Sequence, residues 1–283
     1  MENVLEVRKL RKKYDSFELQ DISLDLPRGS IMGFVGQNGA GKTTAIKLIL
    51  NLIRADAGEI KIFGEKHNAL DRKLKEQIGV VFDECNFPEY LTAKDIILVM
   101  KNIYRSFQVE RFDKLLDSLK LPKNKPIKEF SRGMKMKLSI AVALSHGAKL
   151  LILDEPTSGL DPIVRDEVLD LFLEFIQDED CAILVSSHII SDLEKVADYI
   201  TFIHEGKIIF SENKDRLLEE YGVLKCSHHD FEQIDKTKVL GYRENQFSVA
   251  ALRRKKDVPK GFLVEQASIE EIMLFMTRGE RAS

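Results

Sequence analysis

Gly36-Gln37-Asn38-Gly39-Ala40-Gly41-Lys42-Thr43 decides the fold of this 283-residue chain. The stretch fits the G-x-x-x-x-G-K-[ST] spacing of a phosphate-binding loop. Gly36, Gly39 and Gly41 let the backbone wind closely around phosphate, so that successive N–H groups, those of Asn38 and Ala40 among them, converge on its oxygens. Lys42 brings positive charge to the β- and γ-phosphates of ATP, and the Thr43 hydroxyl is a ligand for Mg²⁺. The helix expected to start at Lys42, Thr43 and Thr44 adds the positive end of its dipole.

Outward from the loop, short apolar runs alternate with longer helical patterns, the mark of a parallel sheet with crossover helices. Residues 31–35, 78–82, 150–153 and 182–186 read as strands. Three of them run straight into a motif, as expected where ligands bind beyond the carboxyl ends of parallel strands. Helices are expected over 42–53, from Pro162 toward Gln177 behind a capping Asp161, and from the capping-box spacing Ser191-Asp192-Leu193-Glu194. Between 86 and 147 the pattern turns helical, with Leu98, Ile103, Leu115, Leu116 and Leu119 recurring among charges and Pro122 and Pro126 as punctuation. Beyond Asp215, β-like pieces at 223–226, 247–251 and 262–264 lead to a last helix opened by Ser268-Ile269-Glu270-Glu271.

The run Leu150-Leu151-Ile152-Leu153-Asp154-Glu155-Pro156 supplies the second half of the chemistry. A buried apolar strand that ends in an acid holds that acid firmly, and Asp154 fits the Mg²⁺ ligand of a P-loop ATPase. Glu155 is placed to orient or deprotonate a water in line with the γ-phosphoryl.

Composition narrows the classes. Charged residues make up 31%, yet the net charge is only −3, which argues against a nucleic-acid binder held by a basic face. Arg253-Arg254-Lys255-Lys256 is the one local basic cluster and reads as a solvated turn. The N-terminus lacks the basic-then-apolar layout of a secretory signal, and no apolar stretch approaches the roughly 20 residues that span a bilayer. Cys85, Cys181 and Cys226 show no paired spacing and suit a reducing compartment. Cys226-Ser227-His228-His229 reads as a polar turn, because no second ligand cluster accompanies it. His67, His146 and His204 match no motif and read as structural.

With these residues in this order the chain resembles the nucleotide-binding subunit of an ATP-binding cassette (ABC) transporter, over nearly everything up to Asn213. The family signature L-S-G-G-Q corresponds to Phe130-Ser131-Arg132-Gly133-Met134. Ser158-Gly159-Leu160-Asp161 matches the D-loop, His188 in Ser186-Ser187-His188 matches the switch histidine, and Tyr14 stands where the family stacks a ring on adenine. The resemblance implies an α/β fold: a P-loop NTPase core with a parallel sheet, an antiparallel N-terminal β region, a helical insertion over about 86–147 and a small C-terminal α+β appendage. The expected division is an ATPase domain over 1–215 and an accessory domain over 216–283. A head-to-tail dimer is implied, with each ATP held between the P-loop of one subunit and Ser131 and Gly133 of the other. His188 would contact the γ-phosphate. Cytoplasmic placement on the inner face of the membrane, through an integral-membrane permease, is implied as well. The second ATPase subunit is an identical chain or a paralogue, and no nucleic-acid partner is expected.

Two positions depart from the family pattern. Asp83, followed by Glu84, stands where a glutamine usually touches Mg²⁺ and the attacking water; a carboxylate also ligates Mg²⁺. Arg132 replaces the first signature glycine, and is expected in solvent or at a subunit contact rather than on a phosphate or ribose. The S-R-G-M form and the appendage resemble bacterial drug-, peptide- or ion-exporter subunits. Two other classes compete: a soluble ABC ATPase acting on ribosomes or nucleic acid, and a regulatory module that binds ATP without hydrolysing it. One loop, no sustained heptads and no strongly basic segment disfavour the first. Intact Lys42, Asp154, Glu155 and His188 disfavour the second.

Overall fold

A computed structural model describes residues 2–66, 72–259 and 261–279, so His67 lies outside the described residues. The chain opens with two long strands, β1 (Asn3–Lys13) and β2 (Glu18–Pro27), followed by β3 (Ile31–Val35) and α1 (Lys42–Ile49). Next come β4 (Ala57–Ile62), β5 (Glu65–Lys66), α2 (Arg72–Glu76) and β6 (Ile78–Val81). Three helices follow, α3 (Ala93–Ile103), α4 (Val109–Ser118) and α5 (Arg132–Leu144), before β7 (Leu150–Asp154), α6 (Pro162–Phe175), β8 (Ala182–Ser187) and α7 (Ile190–Val196). The hairpin β9 (Tyr199–His204) and β10 (Lys207–Asn213) then leads through α8 (Lys214–Glu220) into the last segment. That segment holds β11 (Tyr221–Cys226), α9 (His228–Gln233), β12 (Gly241–Glu244), β13 (Val249–Arg254), β14 (Val264–Gln266) and α10 (Ile269–Arg278).

The central sheet runs β10-β9-β3-β8-β7-β6, parallel throughout except for the β9–β10 hairpin at its edge. Every residue of β3, β7 and β8 is buried. These strands therefore read as continuous apolar runs rather than alternating ones, since a parallel sheet is covered on both faces. Alternation survives in which core each residue enters. Met32, Phe34, Leu150 and Ile152 pack toward the antiparallel N-terminal sheet β2-β1-β4-β5 and α1. Ile31, Val35, Leu151 and Leu153 pack toward α5, α6 and α7. The helices of the 86–147 segment share a smaller core of their own around Phe112, Leu116, Ile127 and Leu138. A third sheet, β12-β13-β11-β14, carries the C-terminal residues, and Val223, Leu252, Ile269 and Ile272 join the core of α5 to α7. Among the described residues no helix is long and apolar enough to cross a membrane.

Local chemistry corrects several element boundaries. The helix after the phosphate loop stops at Ile49 rather than 53, because Asn51 takes a left-handed φ of 55°. Ser191 does not open a helix: α7 starts one residue earlier, and the hydroxyl that accepts from Ile189 N at 2.9 Å belongs to Ser187. The strand expected from 247 begins at Val249, since Asn245 Oδ1 accepts from both Phe247 N and Ser248 N and folds those residues into a turn. The strand expected over 262–264 lies at Val264–Gln266. Leu98 and Ile103, expected to contribute to the helical pattern, are exposed at 65% and 49%. Arg253 is not part of a solvated turn. It is 1% exposed, because strand alternation puts it on the face that carries Val249 and Ala251.

Candidate nucleotide site

The ladders bring the motifs to one edge. Val35 and Asp154 pair in register with Ser187 and Ser186, so the loops that follow β3, β7 and β8 all emerge at the carboxyl end of the parallel sheet. There they enclose a cleft of about 710 Å³ lined by Gln37 to Gly39 and Gly41 to Thr44 of the phosphate loop, by Asp83, Glu155, Ser158 and His188, and by Ser16 and Phe17 from the β1–β2 turn.

The loop has the shape that a phosphate demands. Gly41 takes φ +111°, closed to residues with a side chain, and a Cβ there would also meet Phe17 Cζ at 2.8 Å. At Gly36 a Cβ would lie 2.6 Å from the Ile203 carbonyl oxygen, so only glycine lets the loop pass β9 this closely. Gly36 and Ala40 thus form the floor beneath the cleft rather than its lining. Gly39 has nothing within 4 Å on its Cβ side and faces open space.

Three side chains, those of Lys42, Glu155 and His188, meet at the mouth of the loop. Lys42 is buried; its Nζ donates to Gly36 O at 2.6 Å and to Gln37 O at 3.3 Å. The same ammonium lies 3.1 Å from Glu155 Oε1. The other carboxylate oxygen, Oε2, is 2.7 Å from His188 Nδ1 and accepts from His188 N at 3.4 Å. Glu155 Oε1 makes no hydrogen bond beyond the ion pair, although it is buried. Glu155 also adopts φ +52°, a conformation that costs a non-glycine residue on the order of 1–3 kcal/mol and persists only when its surroundings enforce it. Ser186 does the enforcing. Its Oγ accepts from Glu155 N at 3.0 Å and donates to Asp154 Oδ1 at 2.5 Å, fixing both acids at once.

Asp154 is 3% exposed and stands behind Glu155 rather than in the cleft lining, whereas Thr43 and Asp83 line it. Among the described residues no three carboxylate, histidine or cysteine side chains converge on one point. The donor set is a hydroxyl with one or two carboxylates, which fits Mg²⁺ completing its shell with phosphate oxygens and water.

Several sequence-derived residues lie elsewhere. Tyr14 does not line the cleft; it is 43% exposed, with Lys12 Nζ 5.7 Å from its ring centroid. Phe17 takes the position over the loop, because Tyr14 N donates to Phe17 O and the turn between them swings the later ring inward. Asp161 caps α6, its Oδ1 accepting from Ile163 N and Val164 N at 3.1 Å each. Ser131 caps α5, its Oγ accepting from Met134 N at 3.3 Å, and neither it nor Gly133 lines the chain's own cleft. Arg132 is exposed, yet its guanidinium covers Gly159: a Cβ built there would meet Cζ and Nη1 at 3.1 Å and Nε at 3.3 Å. It touches the D-loop of its own chain rather than solvent alone. Ser16 and Phe17 escaped sequence reasoning, and Gln37 was read only as part of the loop spacing; an aromatic three residues from Tyr14 was the available signal for Phe17.

The relatives agree with this geometry. A family profile described as ABC transporter matches residues 19–158. The bacitracin transport ATP-binding protein BcrA of Bacillus licheniformis is 34% identical over 88% of this chain and 81% of its own length. The chain belongs to the ABC transporter ATP-binding family. The lantibiotic transport ATP-binding protein SrtF of Streptococcus pyogenes is 35% identical over 75% of this chain and 92% of its own. Among solved structures, an ATP-binding subunit of an ABC transporter superposes with a TM-score of 0.69 at 27% identity, covering 76% of this chain and 91% of that one. The protein is therefore an ATP-binding transport ATPase with a P-loop fold.

Proposed function

We propose that this ATPase works as a dimer of cassettes around two Mg-ATP and drives a separately encoded integral-membrane permease that exports its cargo. The observation that carries the hydrolytic part is the linked trio Lys42, Glu155 and His188 at the mouth of the phosphate loop. With ATP bound, Lys42 exchanges its loop carbonyls and Glu155 for the β- and γ-phosphates. Glu155, still held by His188, then orients the attacking water and accepts its proton. His188 stabilises the charge that develops on the γ-phosphoryl. Thr43, Asp83 and, from behind Glu155, Asp154 would be the oxygen donors that hold Mg²⁺, which would supply neutralisation of phosphate charge. Phe17, rather than Tyr14, offers the ring for the adenine.

The dimer follows from where the signature lies. The Ser131 oxygen accepts from Met134 N, which leaves its O–H free to donate to an anion beside Gly133 N–H at the start of α5. Away from its own cleft, this pair suits the γ-phosphate of a neighbouring subunit's ATP. Loss of that phosphate weakens the dimer, and opening moves the permease. Asp161, capping α6, holds the D-loop between the two half-sites. Residues 1–215 form the ATPase domain and 216–283 the accessory domain of this reading.

The names of the relatives, transport ATP-binding proteins for bacitracin and lantibiotics, support a transported cargo of that class; export is the direction this reading assigns to it. The site of action is the cytoplasmic face of the membrane, where the permease holds the subunit. Affinity purification of the full chain from detergent-solubilised cells tests this. The expected result is a multi-span membrane protein retained in stoichiometric amount, with ATPase activity in the complex. Retention of ribosomes or nucleic acid, with no membrane protein, would contradict it.

A further inference from the structure

Helix α10 does not belong to the appendage alone. Glu270, Met273, Leu274 and Thr277, spaced i, i+3, i+4 and i+7 on one face, line a cavity of about 160 Å³. Its other walls include Gly36, Gln37 and His188. Gln37 and His188 also line the nucleotide cleft. These two residues are thus the partition between cleft and cavity, and α10 stands behind the histidine that holds Glu155.

Both sides of the partition differ in how firmly they are fixed. The adjoining stripe of α10, Ile269, Ile272 and Phe275, is buried in the same core as Val196, Ile200 and Phe202. Its N-terminus carries a complete capping box, with Ser268 N donating to Glu271 Oε2 at 2.9 Å and Glu271 N donating to Ser268 Oγ at 3.2 Å. His188, by contrast, sits on a two-residue link between β8 and α7, and α7 has no side-chain cap. The histidine side chain is 41% exposed. The link is held on the cleft side by the two bonds of His188 to Glu155 Oε2 and by Ile189 N donating to Ser187 Oγ, whereas on the other side it faces the α10 residues across the cavity.

We propose that α10 is a positioning element for His188, so that residues 216–283 set how the histidine meets Glu155 and through it the rate of hydrolysis. The inference rests on the catalytic roles assigned above to Glu155 and His188. A purely structural role for α10 would lower stability and leave its effect independent of the histidine. A positioning role makes the effect vanish when the histidine is gone.

The test is a double-mutant cycle in the full chain with Leu274→Ala and His188→Ala, measured as steady-state ATPase at protein concentrations where the rate per chain no longer rises. Leu274→Ala is expected to lower kcat on the order of tenfold with the KM for ATP nearly unchanged. The double variant is expected to be no slower than His188→Ala alone. Thr277→Leu, which fills the cavity instead of enlarging it, is expected to show the same dependence and serves where Leu274→Ala does not fold. An unchanged kcat in both wall variants, or losses that multiply fully with His188→Ala, would overturn the proposal. A wild-type rate in His188→Ala alone would overturn the assignment of the histidine itself, and the proposal with it.

Discussion

The two oxygens of Glu155 face two different partners: Oε1 lies 3.1 Å from Lys42 Nζ and Oε2 lies 2.7 Å from His188 Nδ1. One carboxylate thus links the buried lysine after the glycine loop to the histidine after β8. The half-bonded state of Oε1, buried with an ion pair and no hydrogen bond, marks the contact that a bound phosphate would replace.

Lys42→Ala is expected to abolish ATP binding as read by thermal shift, since the ammonium is the one buried cation in the cleft lining. It also strands Glu155 Oε1, which costs about 1–3 kcal/mol of stability in the absence of nucleotide. Lys42→Arg, longer and planar, is expected to restore part of the stability but little of the binding.

Asp83→Gln tests the first departure from the family pattern. ATP affinity is expected to stay within a few-fold, because Asp83 is exposed at the rim rather than in the loop. Turnover is expected to change, with half-maximal rate at a higher Mg²⁺ concentration, since an amide ligates the cation more weakly than a carboxylate. Identical rate and Mg²⁺ dependence would remove Asp83 from the site.

Gly36→Ala is expected to destabilise the fold by about 1–3 kcal/mol, because the new methyl group meets a backbone carbonyl that cannot yield as a side-chain end would. Chemical denaturation reads this directly, with a lower midpoint and an unchanged slope. Gly39→Ala places its methyl in open space and loses stability only through the positive φ of 81°.

His146 makes acid stability predictable. It is buried, stacks on Tyr104 with ring centroids 4.1 Å apart, and its Nδ1–H donates to Glu76 O at 3.0 Å. Burial holds its pKa below the ordinary 6.5, against the raising effect of that hydrogen bond. The unfolded chain therefore binds more protons as pH falls, so the stability this residue contributes is complete above 6.5 and is lost as pH drops through the folded value. His146→Phe keeps the stack without a titrating group. Its melting temperature is expected to fall less than that of the wild type between about pH 7 and about pH 5.

The parallel sheet and the phosphate loop were legible in the sequence because both are local: a buried apolar run and a glycine spacing each carry their own physics. The capping residues Asp161 and Ser268 were legible for the same reason. What escaped was long-range. Phe17 and Tyr14 differ only in which way a turn swings, and that is decided by contact with Gly41. Arg253 reads as part of a basic run until strand pairing shows which face it occupies. Ser186, which fixes Asp154 and Glu155 together, gains its role only when β7 and β8 align in register.

The central claim is that Glu155 performs the proton transfer in a site completed by a second subunit. Sedimentation of Glu155→Gln with Mg-ATP, alongside its hydrolysis rate, tests it most directly. The expected result is a dimer retaining unhydrolysed ATP, with turnover at least about a hundredfold below wild type. A monomer under saturating ATP, or hydrolysis at the wild-type rate, would contradict it.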